Sequence, residues 1–214
     1  MKAIFALFIS VTAFSTSLHA AESADDFADI AEFKVQALTP ATLKQLREGG
    51  YVLYMRHANT DTSRPDQPNM NLNDCATQRV LSEDGRRISK NIGNSIRKAK
   101  IPVGELFSSP LCRTKETALI AFGKNATVNM LLRYTASMAD QERLQALDTI
   151  RELVSTPVQG KTNRVIVAHS QNMMALIGYL PSPEGTVVIL RPMGNKQFKY
   201  IASVKPDQWG ELLR

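Results

Sequence analysis

Two histidines and two arginines stand where strands of the chain are expected to end. Arg56 and His57 follow the apolar run "YVLYM", His169 follows "RVIVA", and Arg113 follows "LFSSPLC". A planar guanidinium binds phosphate oxygens through a fork of donors, and a neutral imidazole can attack phosphorus to form a phosphohistidine. A second imidazole would stabilise the charge that spreads over the phosphoryl oxygens. These residue types therefore indicate phosphoryl transfer to water without a metal or other cofactor.

The segments around these residues alternate between strand and helix patterns. Strand-like apolar runs are "YVLYM", "GELFS", "ATVNML" and "NRVIVAH", and helical patterns are "LSEDGRRISKNIGNSIRKAK", "LCRTKETALIAF", "DQERLQALDTIRELV" and "NMMALIGYL". "GTVVILRP" and "FKYIASV" are expected to pair as a hairpin through "MGNK". This order predicts a three-layer α/β/α sandwich with a mainly parallel central sheet. Because ligands bind beyond the carboxyl ends of strands in such sheets, His57 and His169 are expected at one edge.

The N-terminus has the layout of a secretory signal. Lys2 precedes the apolar run "AIFALFISVTAF", and small residues follow, so cleavage is expected after Ala20. An uncleaved anchor is the alternative, but the run is shorter than the roughly 20 residues that span a bilayer. We predict a signal peptide over 1–20, an arm with a short helix that begins near Thr42 over 21–49, and one domain over 50–214. The mature protein is expected in the periplasm or secreted, with no stable membrane span.

The two cysteines, Cys75 and Cys112, are interpreted in the light of export. Outside the cytosol disulfides form and persist, so an even pair is expected to form one structural bridge. That bridge would close a loop of about 37 residues and contribute about 3 to 4 kcal/mol on the loop-entropy model. Two separate buried thiols are the alternative.

The net charge of +6 suits a phosphate-bearing ligand, an acidic membrane surface or nucleic acid. The basic residues are scattered, and the mature chain has no basic run interleaved with aromatic residues, which argues against a nucleic-acid groove. The expected partner is a small phosphorylated substrate or a phosphorylated envelope glycolipid.

Four segments resemble signatures of the histidine phosphatase (phosphoglycerate mutase-like) superfamily. "RHANT" resembles its RHG signature, "LSEDGRRISKNIG" its LxxxGxxQA stretch, "SSPLCRTKETA" its SSPxxRxxxTA segment and "VIVAHSQNM" its VxHxxxI segment. The resemblance covers Tyr51 to Arg191 with all segments in order. The companion segments "DCATQRVLSEDG" and "PLCRT" also resemble those of small exported bacterial members, in which these cysteines would bridge.

The resemblance implies a role for individual residues. His57 would be the phosphorylated nucleophile, Arg56 and Arg113 would hold the phosphoryl oxygens, and His169 would complete the pocket. Three polar residues near these positions are predicted to contact the substrate, although turn formation or helix capping would also explain them: Asn59, Thr60 and Ser170. The loops over 61–77 and 134–141 are expected to set substrate specificity.

The chain departs from the family pattern at two points. Ala58 replaces the glycine of RHG, so a methyl group stands where a close backbone approach or a positive φ would favour glycine. The aspartate that follows the second histidine in the acid phosphatase branch is also absent. Glu142, with Asp140 as its alternative, is the predicted general acid, although both are also ordinary acids for a helix N-terminus. Glu184 is a weaker candidate.

Three other functions are alternatives to a metal-independent phosphomonoesterase. "AHSQN" resembles a nucleophile elbow, but no histidine follows Ser170, as that class of serine hydrolase requires. Mutase chemistry is disfavoured because an exported enzyme would seldom meet sugar-acid phosphates. The main alternative is a catalytically inactive protein of the same fold that binds phosphate or a phospho-ligand.

Overall fold

A six-stranded sheet forms the centre of the computed structural model, which describes residues 33–213. The strands lie in the order β3-β2-β4-β1-β5-β6. The pairs β1–β4, β2–β4 and β2–β3 are parallel, whereas β1–β5 and β5–β6 are antiparallel. The strands are β1 (Val52–Arg56), β2 (Val103–Ser108), β3 (Thr127–Val128), β4 (Asn163–Ala168), β5 (Val187–Gly194) and β6 (Gln197–Val204). The predicted α/β fold with a mainly parallel sheet is confirmed.

Helices cover both faces of this sheet. They are α1 (Pro40–Glu48), α2 (Glu83–Lys98), α3 (Cys112–Phe122), α4 (Asp140–Ser155) and α5 (Ser170–Ile177). Alternate residues of β1 point to opposite faces, as strand geometry requires. Leu53 and Met55 pack in a core with α1, α2 and α3, whereas Val52 and Tyr54 pack in a second core with α4 and α5. The molecule is therefore a three-layer sandwich with a hydrophobic core on each side of the sheet.

The segment that leads into β1 belongs to the first of these cores. Thr39 caps α1, because its hydroxyl accepts a hydrogen bond from the Thr42 amide at 3.2 Å, and Pro40 is the first helical residue. The helix therefore begins before the predicted start near Thr42. Leu43 and Leu46 are buried against the sheet. The predicted boundary at residue 50 thus divides segments that the structure packs together.

The segment "ATVNML" differs from its prediction as one strand. Only Thr127–Val128 pairs with β2, and Met130–Leu132 forms a 3-10 helix. The side chain of Asn129 accepts a hydrogen bond from the Leu131 amide at 2.9 Å, which favours the turn over continued strand pairing. The predicted hairpin between β5 and β6 does form, with Asn195 and Lys196 in positive-φ conformations at its turn.

A disulfide joins Cys75 to Cys112, which confirms the predicted bridge. Cys75 begins a 3-10 helix over Cys75–Thr77, and Cys112 is the first residue of α3. Within residues 33–213, no helix is long and apolar enough to cross a membrane. The predicted signal peptide over 1–20 and its cleavage after Ala20 lie outside the described residues.

Candidate active site

The parallel pairing of β1 with β4 brings the two histidines together. Arg56, the last residue of β1, lies opposite Ala168, the last residue of β4, and a histidine follows each of them. The His57 amide donates a hydrogen bond to the Ala168 carbonyl at 3.0 Å. The two imidazole rings consequently lie with their centroids 5.4 Å apart. The placement expected at the carboxyl edge of the sheet is therefore found.

These rings open into a cavity of about 480 Å³. Arg113, in the first turn of α3, also faces this cavity, so the four residues singled out by type all meet there. The cavity is lined by Arg56, His57, Pro65, Asp66, Arg79, Arg113, Tyr134, His169, Ser170, Gln171 and Glu184.

His57 is held as a neutral imidazole with a defined tautomer. Its Nδ1 lies 3.0 Å from the carbonyl oxygen of Ala58, and a carbonyl can only accept, so Nδ1 carries the proton. The Nε2 atom therefore keeps its lone pair. The pKa of His57 is lowered to about 3, mainly by burial and also by the charges of Arg113 and Arg56, against the opposing effect of the Ala58 hydrogen bond. A neutral, oriented imidazole is the form that can attack phosphorus.

His169 is fixed by both its ring and its backbone. Its Nε2 forms a hydrogen bond with the Ser109 hydroxyl at 2.9 Å. The hydroxyl of Tyr54 donates to the His169 carbonyl at 2.9 Å and accepts from the His169 amide at 3.2 Å. Burial holds the pKa of His169 well below its ordinary value, and the neighbouring His57 adds to this effect. The second imidazole is therefore also neutral and rigidly placed.

Alanine at position 58 fits the backbone of this site. Ala58 is fully buried, and its amide donates to the Thr117 hydroxyl at 3.2 Å. Among the described residues, positive φ at non-glycine positions is confined to three others: Lys100, Asn195 and Lys196. Position 58 therefore has no need of the left-handed conformation that would favour glycine.

The close approach that requires a glycine occurs at Gly85 instead. A Cβ placed there would lie 1.9 Å from the carbonyl oxygen of Asn59, in the loop after His57. Helix α2 thus packs directly against that loop. The same carbonyl accepts a hydrogen bond from the Ser82 amide at 3.0 Å.

Each of the two expected phosphate-binding arginines is held by a carboxylate. Arg56 donates to Glu184 at 3.2 Å and to the Pro181 carbonyl at 2.9 Å. Arg113, only 3% exposed, donates to Asp66 at 3.1 Å. In the described part of the chain the buried Nε atoms of Arg56 and Arg113 have no hydrogen-bond partner. Buried donors are normally satisfied, so these atoms indicate a place for an anion.

Glu184 links three parts of the site. One of its oxygens binds Arg56 and lies 3.8 Å from Nδ1 of His57, and the other accepts from the Thr60 amide at 2.9 Å. Glu184 reaches this edge because β5 runs antiparallel to β1, so the residues before β5 lie where β1 ends. The weakest of the three acid candidates is the one that the structure places in the cavity.

The structure does not bring Asp140 or Glu142 into the cavity. The side chain of Asp140 is 89% exposed and pairs with Arg143. Glu142 pairs with Arg133. Both carboxylates lie in the first turn of α4, where acidic residues interact favourably with the helix N-terminus. This position agrees with the alternative that they are ordinary helix N-terminal acids.

The three predicted polar contacts have different environments. Ser170 lines the cavity and donates a hydrogen bond to the Gln171 side chain at 3.0 Å. Asn59 instead donates to Asp84 at 2.9 Å on α2, and Thr60 supports Glu184. Asn59 and Thr60 therefore shape the loop around the cavity, whereas Ser170 faces it.

Sequence reasoning missed the roles of Asp66 and Arg79. Asp66 accepts from the Arg79 amide at 2.7 Å as well as from Arg113, so both residues lie on the cavity wall beside Arg113. The available signal was the disulfide, because it draws the segment before α2 to the start of α3. Gln78 strengthens this link by accepting from the Cys112 amide at 2.8 Å. Within residues 33–213 no group of three or more His, Cys, Asp or Glu side chains is arranged to hold a metal ion.

No protein-family model and no curated protein gives a match to the sequence. Solved structures do match the fold. The protein histidine phosphatase SixA complexed with tungstate has a TM-score of 0.55 at 13% identity, covering 74% of this chain and 98% of that chain. The protein of open reading frame Rv3214 from Mycobacterium tuberculosis has a TM-score of 0.51 at 16% identity, covering 72% and 96%. A mycobacterial glucosyl-3-phosphoglycerate phosphatase complexed with VO3 has a TM-score of 0.50 at 16% identity, covering 72% and 98%.

Proposed function

We propose that this chain, whose fold is that of the histidine phosphatase superfamily, is a phosphomonoesterase that acts through a phosphohistidine on His57. One observation carries the proposal: a neutral His57 whose Nε2 keeps its lone pair shares a cavity with Arg56, Arg113 and His169. Nucleophile, oxygen-binding donors and a second imidazole are thus assembled around one space that can hold a phosphoryl group.

The reaction proceeds in two displacements at phosphorus. Nε2 of His57 attacks phosphorus while the bond to the leaving oxygen breaks, and Arg56, Arg113 and His169 stabilise the charge on the phosphoryl oxygens. Water then attacks the phosphohistidine, the P–N bond breaks, and phosphate leaves as Nε2 regains its lone pair. Neither displacement requires a metal ion, so activity is expected to persist after treatment with a chelator.

Glu184 has two roles in the proposed reaction. It holds Arg56 in place, and its carboxylate faces Nδ1 of His57 at 3.8 Å. When Nε2 binds phosphorus, the ring keeps the proton on Nδ1 and becomes positively charged. A carboxylate at that distance stabilises the charged ring, and the Nδ1–H group donates its hydrogen bond to the Ala58 carbonyl throughout. Glu184 is therefore a positioning and electrostatic residue.

Protonation of the leaving group depends on the substrate. Among the described residues, the carboxylates that line the cavity are Asp66 and Glu184, and each is paired with an arginine. Esters with acidic leaving groups, such as aryl phosphates, are consequently the favoured substrates. Alkyl phosphates are expected to react slowly unless water supplies the proton.

The natural substrate is proposed to be a small phosphorylated molecule or the phosphorylated group of an envelope glycolipid. The cavity of about 480 Å³ has room for a phosphoryl group and part of its leaving group. Export is proposed from the N-terminal sequence, with residence in the periplasm or medium. Mass spectrometry of the protein recovered outside the cytosol tests this, and a mature N-terminus near Ala21 is the expected result.

Hydrolysis of p-nitrophenyl phosphate tests the proposed function. We expect turnover by the wild-type protein, acid-labile phosphate on the enzyme after rapid quench, and loss of both in His57→Ala. This activated ester tests the pocket without a strong demand for a general acid. A folded protein that binds inorganic phosphate but gives neither turnover nor label would contradict the proposal and support the inactive phosphate-binding protein.

A further inference from the structure

The cavity contains a third guanidinium, that of Arg79, and the proposed reaction assigns it no role. Arg79 lies between the 3-10 helix over Cys75–Thr77 and α2, and its half-buried side chain lines the cavity beside Asp66. Its Nε is buried, and the guanidinium forms no hydrogen bond or ion pair with any residue in 33–213. Arg56 and Arg113 differ, because each is paired with a carboxylate.

The backbone of Arg79 ties it to the phosphate-binding wall. Its amide donates to Asp66 at 2.7 Å, and its carbonyl accepts from the guanidinium of Arg113 at 3.4 Å. Gln78, the preceding residue, is buried and accepts from the Cys112 amide at 2.8 Å. The backbone of Arg79 is therefore fixed next to Arg113, because both its amide and its carbonyl form hydrogen bonds.

The side chain also acts on the reaction centre electrostatically. The charge of Arg79 is among the influences that lower the pKa of both His57 and His169, so it lies within reach of both imidazoles. With both histidines neutral, the cavity holds one guanidinium more than it holds carboxylates. A partly buried cation without a counter-charge is costly, and a bound anion removes that cost.

We propose that Arg79 binds the transferred phosphoryl group of the substrate, together with Arg56 and Arg113. This inference rests on the proposed function and adds a substrate-binding residue to it. An alternative is that Arg79 binds a second anionic group on the leaving-group side. Its anchorage to Arg113 and its influence on both histidines favour the phosphoryl group.

Arg79→Met and Arg79→Lys test this proposal, with Arg191→Met as the matched control. Arg191 is an exposed arginine on β5 and lies outside the cavity. Binding of inorganic phosphate is measured by calorimetry. Hydrolysis of p-nitrophenyl phosphate is compared with that of carboxyphenyl phosphate, whose leaving group carries a second negative charge.

We expect Arg79→Met to weaken phosphate binding and to lower kcat/KM for both esters by the same factor, about 10- to 100-fold, as for loss of a charged hydrogen bond. Arg79→Lys should recover part of each loss, and Arg191→Met should match the wild type. Phosphate affinity within twofold of wild type in Arg79→Met would overturn the proposal, as would a loss confined to carboxyphenyl phosphate.

The binding arm separates this inference from the proposed function. A wild-type protein that binds phosphate without turnover would refute the phosphatase, while weaker phosphate binding in Arg79→Met would still support Arg79 as an anion ligand. Turnover that survives in Arg79→Met, with phosphate affinity unchanged, would support the phosphatase and refute phosphate binding by Arg79.

Discussion

A change of pH from 7 to 5 should leave His57, the proposed nucleophile, in its neutral form. Burial lowers the pKa of His57 from 6.5 to about 3. At pH 5 an imidazole with that pKa is about 99% neutral, whereas one with the ordinary value is about 3% neutral. The two cases differ about 30-fold in the amount of reactive imidazole. The rate of enzyme phosphorylation should therefore show no acid limb from His57 between pH 5 and 7.

Two measurements check this expectation. Single-turnover phosphorylation by saturating p-nitrophenyl phosphate follows the chemical step, with the ionisation of the substrate determined separately. Nuclear magnetic resonance of the histidine ring carbons follows the imidazole directly, and His57→Ala assigns the signal. We expect the His57 signal to stay at its neutral position from pH 8 down to pH 5.

A titration midpoint near 6.5 for His57 would refute the argument from burial. A loss of about 30-fold in single-turnover rate at pH 5, beyond that caused by substrate ionisation, would refute it as well. The same shift affects stability. Between pH 6.5 and about 3 the unfolded chain binds a proton that folded His57 excludes, so the free energy of unfolding should fall as the pH falls through that range.

Four substitutions give further predictions. Asp140→Asn and Glu142→Gln should each keep kcat/KM within twofold of wild type, because both side chains lie outside the cavity. A tenfold loss of kcat/KM on phenyl phosphate in either variant would instead indicate that the substituted residue is the general acid. Glu184→Gln should lower kcat/KM about 10- to 100-fold on p-nitrophenyl and phenyl phosphate alike, whereas a larger loss on the poorer leaving group would indicate proton donation. Gly85→Ala should lower the free energy of unfolding by about 1–3 kcal/mol in urea titrations, because the new Cβ would clash with the Asn59 carbonyl. Gly210→Ala is the control, because a Cβ at that position would meet open space. Equal stability of the two variants would contradict the argument.

The central part of the site was predictable because it depends on local sequence and one general rule of sheets. His57 and His169 each follow a continuous apolar run, and parallel strands place their carboxyl ends at one edge. Arg113 lies in the first turn of α3, shortly after the parallel strand β2. These positions need only the order of strands and helices, which hydrophobic patterning reveals.

The carboxylates of the site could not be predicted in the same way. Glu184 precedes β5 and reaches the edge that carries His57 only because β5 is antiparallel to β1, a pairing that the apolar run in "TVVILRP" does not reveal. Asp66 lies in an irregular loop whose path depends on distant contacts with Arg113 and with the Arg79 amide. Asp140 and Glu142 lie in the first turn of α4 and pair with arginines there, and the sequence alone does not reveal that this turn lies outside the cavity.

The bond between Cys75 and Cys112 makes a closed covalent ring out of the part of the chain that contains α2 and β2. A single peptide-bond cleavage anywhere in this ring would therefore leave the two fragments joined. A protease that cut the turn after α2 would not release the half that carries Arg56 and His57 from the half that carries Arg113 and His169. A nicked molecule would migrate as one chain on a non-reducing gel and as two after reduction.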